Sequence, residues 1–379
     1  MEGILKMYLD YAATTPLSLK VKEYIIEILD IYYNPSSIYQ KGLDAKKIIS
    51  NARNNVAAFI NGNPQNIIFT SSGSAANTLA IKGLTSENPL KNEYIVFYSP
   101  TAHKSILKAS KSCRYSLPLK VDSVGKIDLD YLDYILMEHR ELKPLVCVEM
   151  GNSEIGTIND IQNICKIVHK YNGIIVADAT GYIPYYKVDM QLFNGIDFLT
   201  FSGHKLNALK GVGVLYNSRN IDIEPLVYGS QENGKFAGTE NIIGIASLGK
   251  AVEVYDYFFV TPYIRGYVYN YIIKNIPDSR LVGASFNNRL PHNLNMCFKG
   301  IKGEALMLLL DMNGFQVSNG SACSAGSPLP SETLLAIGMD EPDIHSCIRM
   351  SFSGKETQQE LDNFCNSLDM CVKHLRKCF

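Results

Sequence analysis

The chain has 379 residues, 46% of them hydrophobic, and a formal net charge of −1. Such a length exceeds one small domain and fits two domains sharing an interface, while a charge so near zero speaks against nucleic acid or another polyanion as the main partner. Nine cysteines, odd in number and without a Cys-x-x-Cys pair, suit a reducing, cytoplasmic setting; no basic-then-apolar signal peptide is recognised at the N-terminus, and no apolar run is long enough to cross a bilayer.

In chain order, Leu9 to Pro16 reads as a short strand ending in a turn. Val21 to Tyr33 carries Val21, Ile25, Ile28, Leu29 and Tyr32 at helical spacing, and Pro35 ends that helix. Gly42 to Ile60 is a second helix. Ile67 to Thr70 is a strand of β-branched and aromatic residues, followed by the small-residue turn Ser71 to Asn77 and an apolar helix from Leu79 to Leu84. A strand, a small-residue turn and a helix N-terminus can cradle an anion, because free N–H groups and the helix dipole point the same way; the same pattern also serves as an ordinary helix cap. Tyr94 to Tyr98 is a strand, and the loop after it carries His103. The pKa of a histidine suits proton transfer, though a lone loop histidine can equally be structural. Leu145 to Glu149 is a buried strand, Asp160 to Tyr171 a helix, and Gly173 to Ala177 a strand ending at Asp178. Asp178 is either a cap or a carboxylate at the strand end where α/β proteins place their chemistry.

The segment Asp197 to Tyr216 runs from a buried strand, Phe198 to Phe201, through the turn Ser202-Gly203-His204-Lys205 to a strand at Val212 to Tyr216. Lysines are normally exposed. One that is desolvated has a lowered pKa and can form a Schiff base with an aldehyde, and just before this one Ser202 and His204 stand as anion-binding types on either side of Gly203. Strands alternating with helices from Ile67 to Tyr216 call for a mostly parallel sheet with helices on both faces. Helices at Ile242 to Phe259 and Pro262 to Asn275 begin a second, smaller domain, followed by a strand at Asn293 to Phe298 and a helix at Gly303 to Asn313. Asn319 to Pro328 is a loop of small residues with one cysteine, Cys323. Cys347 to Phe352 is a strand that includes Arg349, and Glu356 to Lys377 is the closing helix. Cys147 and Cys347 lie in apolar strands, and Cys165, Cys365 and Cys371 at helical spacing among apolar neighbours; buried thiols of that kind are inert. Cys113 and Cys378 lie in polar surroundings.

Together these segments resemble the cysteine desulfurases, the NifS/IscS-like members of the class-V aminotransferase group. The likeness runs in order from Leu9 to the C-terminal helix. LDYAATTP at 9–16 is similar to the signature LDxAATTP, TAHK at 101–104 to TEHKA, and GNSEIG at 151–156 to VNNEIG. YGSQENGKFAGTEN at 228–241 is similar to GGGQERGxRxGTxN, and SNGSACSAGS at 318–327 to SSGSACTS. The resemblance implies an α/β, type I PLP-dependent transferase fold of the aspartate-aminotransferase kind. Its large domain spans residues 15–255, and a smaller α+β domain is formed by residues 1–14 with 256–379.

It also implies pyridoxal 5′-phosphate as cofactor, carried on Lys205, with its phosphate held by Gly73 and Ser74 and with Ser202 and His204 close by. His103 would stack on the ring and move protons, Asp178 would keep the ring nitrogen protonated, and Asn152 would touch cofactor and substrate. Thr239 would complete the phosphate site of the other subunit of a homodimer. Arg349 would hold the carboxylate of L-cysteine through its bidentate fork. Cys323 would take the sulfur as a persulfide, leaving L-alanine, and pass it to a sulfur-acceptor protein such as an iron–sulfur scaffold; no metal is implied. Several positions depart from the family pattern. Tyr39 stands for His, Ala75 for Glu, Thr78 for Asn, and Asn233 and Phe236 for two arginines. Gly181 stands for the Gln that bonds the ring hydroxyl, a bond that water or Tyr182 would replace. These departures keep two rivals open: a selenocysteine lyase or other β-lyase, and a desulfurase-like subunit that depends on a partner for activity.

Overall fold

The computed structural model describes residues 6–85, 94–257, 262–319 and 330–378. The elements of the first half are β1 (Met7–Tyr8), α1 (Leu19–Ile28), α2 (Gln40–Phe59), β2 (Ile67–Thr70), α3 (Gly73–Leu84), β3 (Tyr94–Tyr98), α4 (Lys104–Lys111), β4 (Ser116–Pro118), α5 (Leu129–Glu138), β5 (Lys143–Glu149), α6 (Ile161–Lys170), β6 (Ile174–Asp178), β7 (Phe198–Ser202) and β8 (Gly213–Asn217). They are followed by α7 (Ile242–Glu253), α8 (Pro262–Asn275), β9 (Ser279–Leu281), β10 (Asn293–Phe298), α9 (Gly303–Met312), β11 (Phe315–Gln316), α10 (Glu332–Ala336), α11 (Glu341–Ile344), β12 (Cys347–Ser351) and α12 (Gln358–Cys378).

Among the described residues, seven strands form one sheet in the order β2-β8-β7-β6-β5-β3-β4. β8 runs antiparallel to both neighbours, and the remaining pairs are parallel. The fold is therefore the α/β, mostly parallel arrangement expected from the alternation of elements. Its central strands are apolar on both faces, as a sheet covered on both sides requires. The chain order reverses between β3 and β5, so the loops leaving their C-terminal ends diverge and open a crevice there, the usual ligand position in such sheets. His103 follows β3, while Glu149 and Asp178 end β5 and β6. Lys205 lies in a short 3₁₀ turn directly after β7.

A second, antiparallel sheet, β12-β10-β9, packs with α8, α9 and α12 around its own apolar cluster, which Met7 and Leu9 join from the chain start. α12 presents Leu361, Phe364, Cys365, Leu368, Cys371, Val372 and Leu375 to that cluster at helical spacing. The thiols of Cys147, Cys165, Cys347, Cys365 and Cys371 are buried as expected, as is that of Cys297, whereas Cys378 is exposed. No helix among the described residues is long and apolar enough to cross a membrane.

Element boundaries differ from the sequence reading for local reasons. α1 stops at Ile28 instead of Tyr33, because the expected apolar stripe finds a buried surface only at Val21 and Ile28; Tyr32 and Tyr33 lie beyond it and stack on each other at 4.3 Å. α3 begins at Gly73 rather than Leu79: the Ser72 hydroxyl accepts the Ala75 N–H at 3.1 Å and starts the helix inside the supposed turn. α7 ends at Glu253, and it packs against α2 in the core of the large sheet rather than opening the second core. α4, α5, α10 and α11 are absent from the sequence reading.

The α2–α7 contact depends on a missing side chain. A Cβ at Gly249 would lie 2.5 Å from both Cα and Cβ of Ala52, and helices approach this closely only where one side lacks a side chain. Gly249→Ala is expected to force α2 and α7 apart and destabilise the fold by about 1–3 kcal/mol; urea unfolding followed by circular dichroism measures it, and an unchanged midpoint refutes the close-packing account.

Candidate functional site

The C-terminal ends of β5, β6 and β7, the tip of α3 and the N-terminal arm surround a cavity of ≈ 540 Å³, within the size range of small-molecule sites. Gly73, Ser74, His103, Asp178, Lys205 and Arg349 line it, joined by Ser202 and His204. These residues come from segments spread from position 73 to 349, and the fold brings them onto one wall-to-wall surface.

The α3 tip is an anion site by construction. The Ala75 N–H is taken by Ser72 Oγ and the Ala76 N–H by Ser72 O, which leaves Gly73 and Ser74 presenting the first amides of the helix to the cavity. Close packing holds this tip in place. A Cβ at Gly213 would lie 2.5 Å from Gly73 N, and one at Gly73 would lie 3.2 Å from Ser202 Cβ.

Asp178 is buried, and each of its oxygens accepts one hydrogen bond. Oδ1 accepts the Thr180 N–H at 2.8 Å and Oδ2 accepts Asn77 Nδ2 at 2.7 Å. Asn77, itself buried, also donates to Ser105 Oγ at 3.0 Å, and its Oδ1 accepts from Thr200 Oγ1 at 2.5 Å. Ser105 in turn contacts His103: its N–H donates to His103 Nδ1 at 3.2 Å and its hydroxyl lies 2.8 Å from the same atom. With Nδ1 accepting, a neutral His103 carries its proton on Nε2. A single amide thus links the buried carboxylate to the imidazole. The sequence reading passed over Asn77; its place four residues into a cavity-facing helix is the only signal that could have marked it.

The N-terminal arm spans the site. Lys205 Nζ donates to the carbonyls of Ala12 and Ala13, the latter at 2.8 Å. Thr15 binds the His204 carbonyl through both its N–H, at 3.1 Å, and its hydroxyl, at 2.9 Å. On the other side, Arg349 Nη2 donates to Asp10 Oδ1 at 2.6 Å, and Ser351 Oγ accepts the Ala12 N–H at 2.8 Å. Arg349 is buried, and its Nε has no hydrogen-bond partner among the described residues. Arg349 also pairs backbone to backbone with Ser318, where the segment carrying Cys323 begins. Burial and the neighbouring Arg349 hold the nearby His292 well below its ordinary pKa, so that wall carries one cation and not two.

Two expected residues stand elsewhere. Asn152 is turned into the protein. Its Nδ2 donates to Thr101 O at 2.7 Å and Glu149 Oε2 at 2.9 Å, and its Oδ1 accepts the N–H groups of Glu154 and Ile155. It is not among the described residues that line the cavity. Thr239 is exposed and likewise outside this cavity within one chain. Cys323 lies outside the described residues. Tyr182 does not fill the place of the missing glutamine either: it stacks on Tyr186 at 4.7 Å. A Cβ at Gly181 would meet Gly151 O at 2.5 Å and Ser153 Oγ at 2.6 Å, so Ser153 occupies the space a side chain there would need.

The class-V aminotransferase family model matches residues 7–364, and the chain belongs to that family. At 36% identity it is similar to a cysteine desulfurase IscS of Dictyoglomus turgidum, over 98% of this chain and 95% of the relative. Its fold is similar to that of a solved NifS-like protein from Rickettsia africae, with a TM-score of 0.85 and 28% identity over 97% of this chain and 99% of the other. A structure of SspA in complex with cysteine is also similar, with a TM-score of 0.79 and 28% identity over 92% of this chain and 99% of that one.

His204 makes the site sensitive to acid. Burial, then Lys205, Lys210 and His103, push its pKa from 6.5 down to about 4, and its Nδ1 lies 3.1 Å from Thr14 Oγ1. A depressed histidine binds fewer protons folded than unfolded, so stability falls as pH drops from 6.5 towards 4. His204→Asn, which keeps a polar atom near Thr14 and removes the titration, should flatten that limb of the melting-temperature profile; an equally steep acid limb in the variant assigns it to other groups.

Proposed function

We propose that this chain is a pyridoxal 5′-phosphate-dependent cysteine desulfurase. The observation that carries the reading is the convergence of Lys205, Asp178, His103 and the α3 tip on one cavity with Arg349 across from them. The names of its relatives and of the cysteine-bound neighbour agree with it. The residues present fit the cofactor: two helix-tip amides for a phosphate, a buried carboxylate for a ring nitrogen, a lysine for an aldehyde, and glycine at 73 where a side chain would crowd Ser202 and Thr180. When bound there, pyridoxal 5′-phosphate supplies the electron sink that the chemistry at the cysteine carbons needs.

Within this reading each side chain has a defined task. Lys205 holds the cofactor. Gly73 and Ser74 hold its phosphate, with Ser202 and His204 alongside. Asp178, held in place by its two donors, would face the ring nitrogen and favour a proton there. His103 moves protons through Nε2. Arg349 takes the substrate carboxylate through its guanidinium. The Cys323 thiolate attacks the substrate sulfur: an S–S bond forms, the carbon–sulfur bond breaks, and the carbon takes up a proton and leaves as L-alanine. Cys323 is five positions beyond Ser318, the backbone partner of Arg349. An extended chain spans at most about 3.6 Å per residue, which tethers the Cys323 backbone within about 18 Å of Ser318. The persulfide then passes to a sulfur-acceptor protein. Thr239, exposed on its own chain, is offered to the second subunit of a homodimer.

Two outcomes follow. Loaded wild-type protein should be yellow and Lys205→Ala should lose the covalently held chromophore; borohydride labelling of a different lysine breaks the assignment. Cys323→Ser should still respond to cysteine with a change in visible spectrum yet release no sulfide under reducing conditions, and wild-type desulfuration by that variant turns the reading towards a β-lyase.

A further inference from the structure

Glu149 is a cavity-lining carboxyl for which the proposed mechanism has no use. It ends β5 directly beside Asp178, its register partner on β6, so the two side chains point to the same face of the sheet. Both of its oxygens are engaged by donors. Oε1 accepts the backbone N–H of His103 at 2.7 Å, and Oε2 accepts Asn152 Nδ2 at 2.9 Å. Asn152 cannot rotate to suit another partner, because its Oδ1 already accepts from Glu154 and Ile155 and its Nδ2 also holds Thr101 O. Glu149 and Asn152 together therefore fasten the 101–103 loop to the end of β5. Resting on the desulfurase reading, we propose that Glu149 is a positioning residue of this reaction, holding His103 against the cavity while forming a carboxyl pair with Asp178.

Its charge state follows from the same surroundings. Glu149 is half-buried by surface area because one side of it faces the cavity, but dense protein encloses the rest. Burial first, then Asp178, push its pKa from 4.5 up to about 8, with His103 opposing. The other charged groups facing it across the cavity are Lys205, Lys210 and Arg349, with His204 held neutral. Near neutral pH Glu149 holds its proton, and above that range its negative charge enters the cavity.

Glu149→Gln and Glu149→Asp test this. The amide of Gln sets a donor against the locked Asn152 donor and removes the titration, whereas Asp keeps the acid and withdraws it by one methylene. The visible absorption of protein loaded with pyridoxal 5′-phosphate should show a pH step near 8 in wild type, shifted in Glu149→Asp and absent in Glu149→Gln. In both variants kcat for cysteine should fall roughly 10- to 100-fold, as displacing a working group by up to about 1 Å does, with KM changed by less than about threefold. Without cofactor, an acid whose folded pKa is raised contributes stability that is full below 4.5 and lost as pH rises through about 8. The melting temperature of Glu149→Gln should therefore gain on wild type over that interval. Persistence of the step in Glu149→Gln, or kcat within about twofold of wild type, overturns the proposal. If Glu149→Gln does not fold, a wild-type kcat and an unmoved step in Glu149→Asp overturn it alone. Lack of a visible band in wild type sinks the cofactor reading and this role with it, whereas identical bands and pH profiles in wild type and variants sink only the role of Glu149.

Discussion

The site depends on one strap of chain, residues 10–16, that ties the large sheet to the small one. Its carbonyls hold Lys205, and its Thr14 and Thr15 hold His204. Its Asp10 holds Arg349, and the Ala12 N–H holds Ser351. Lys205 and Arg349 stand on separate sheets with separate apolar cores, so no strand ladder sets the distance between them. The strap helps to set it, with hydrogen bonds at both ends, alongside the bonds that Asn293 and Asn295 of the second sheet make to Ser153 and Glu154. The Asp10–Arg349 pair is a largely buried one, and removing either partner of such a pair costs about 3–5 kcal/mol, because the other is left charged and unsolvated.

Charge in the cavity is sorted by the ends of parallel strands. Asp178 and Glu149 sit side by side at the ends of β6 and β5, whereas the cations Lys205, Lys210 and Arg349 come from the following turn and from the second sheet. Burial keeps His204 and His292 neutral, so the positive side does not repel itself further. Asn77 lies at the junction. One amide serves the Asp178 carboxylate, the Ser105 hydroxyl that contacts His103, and Thr200 of β7. Loss of any of these bonds would leave a buried polar group unsatisfied, at a cost of about 1–3 kcal/mol.

Sequence and structure agree where a local physical rule operates. Ile67–Thr70, Tyr94–Tyr98 and Asn293–Phe298 are strands over the stretches read as strands, the first from its β-branched and aromatic residues. They part where a rule needs a partner surface. α1 lost its last turn because nothing buries Tyr32, and α3 gained its first because Ser72 caps it. Asn152 is the same lesson in the site: a motif marks the residue, but its side chain is committed to Thr101, Glu149, Glu154 and Ile155.

The amino-acid sequence alone determined the alternation of strands and helices, the lysine after a buried strand, the carboxylate at a strand end and the small-residue tip of α3, because each follows from spacing and residue type within a few positions. Tertiary structure alone decided that Glu149 faces the cavity beside Asp178, that Asn77 joins Asp178 to His103, that Ser153 fills the space beside Gly181, and that Asp10 meets Arg349. Those are contacts between residues up to 339 positions apart. No local pattern encodes them, since burial, hydrogen-bond commitment and the pKa shifts that follow exist only once distant strand ends share one low-dielectric surface.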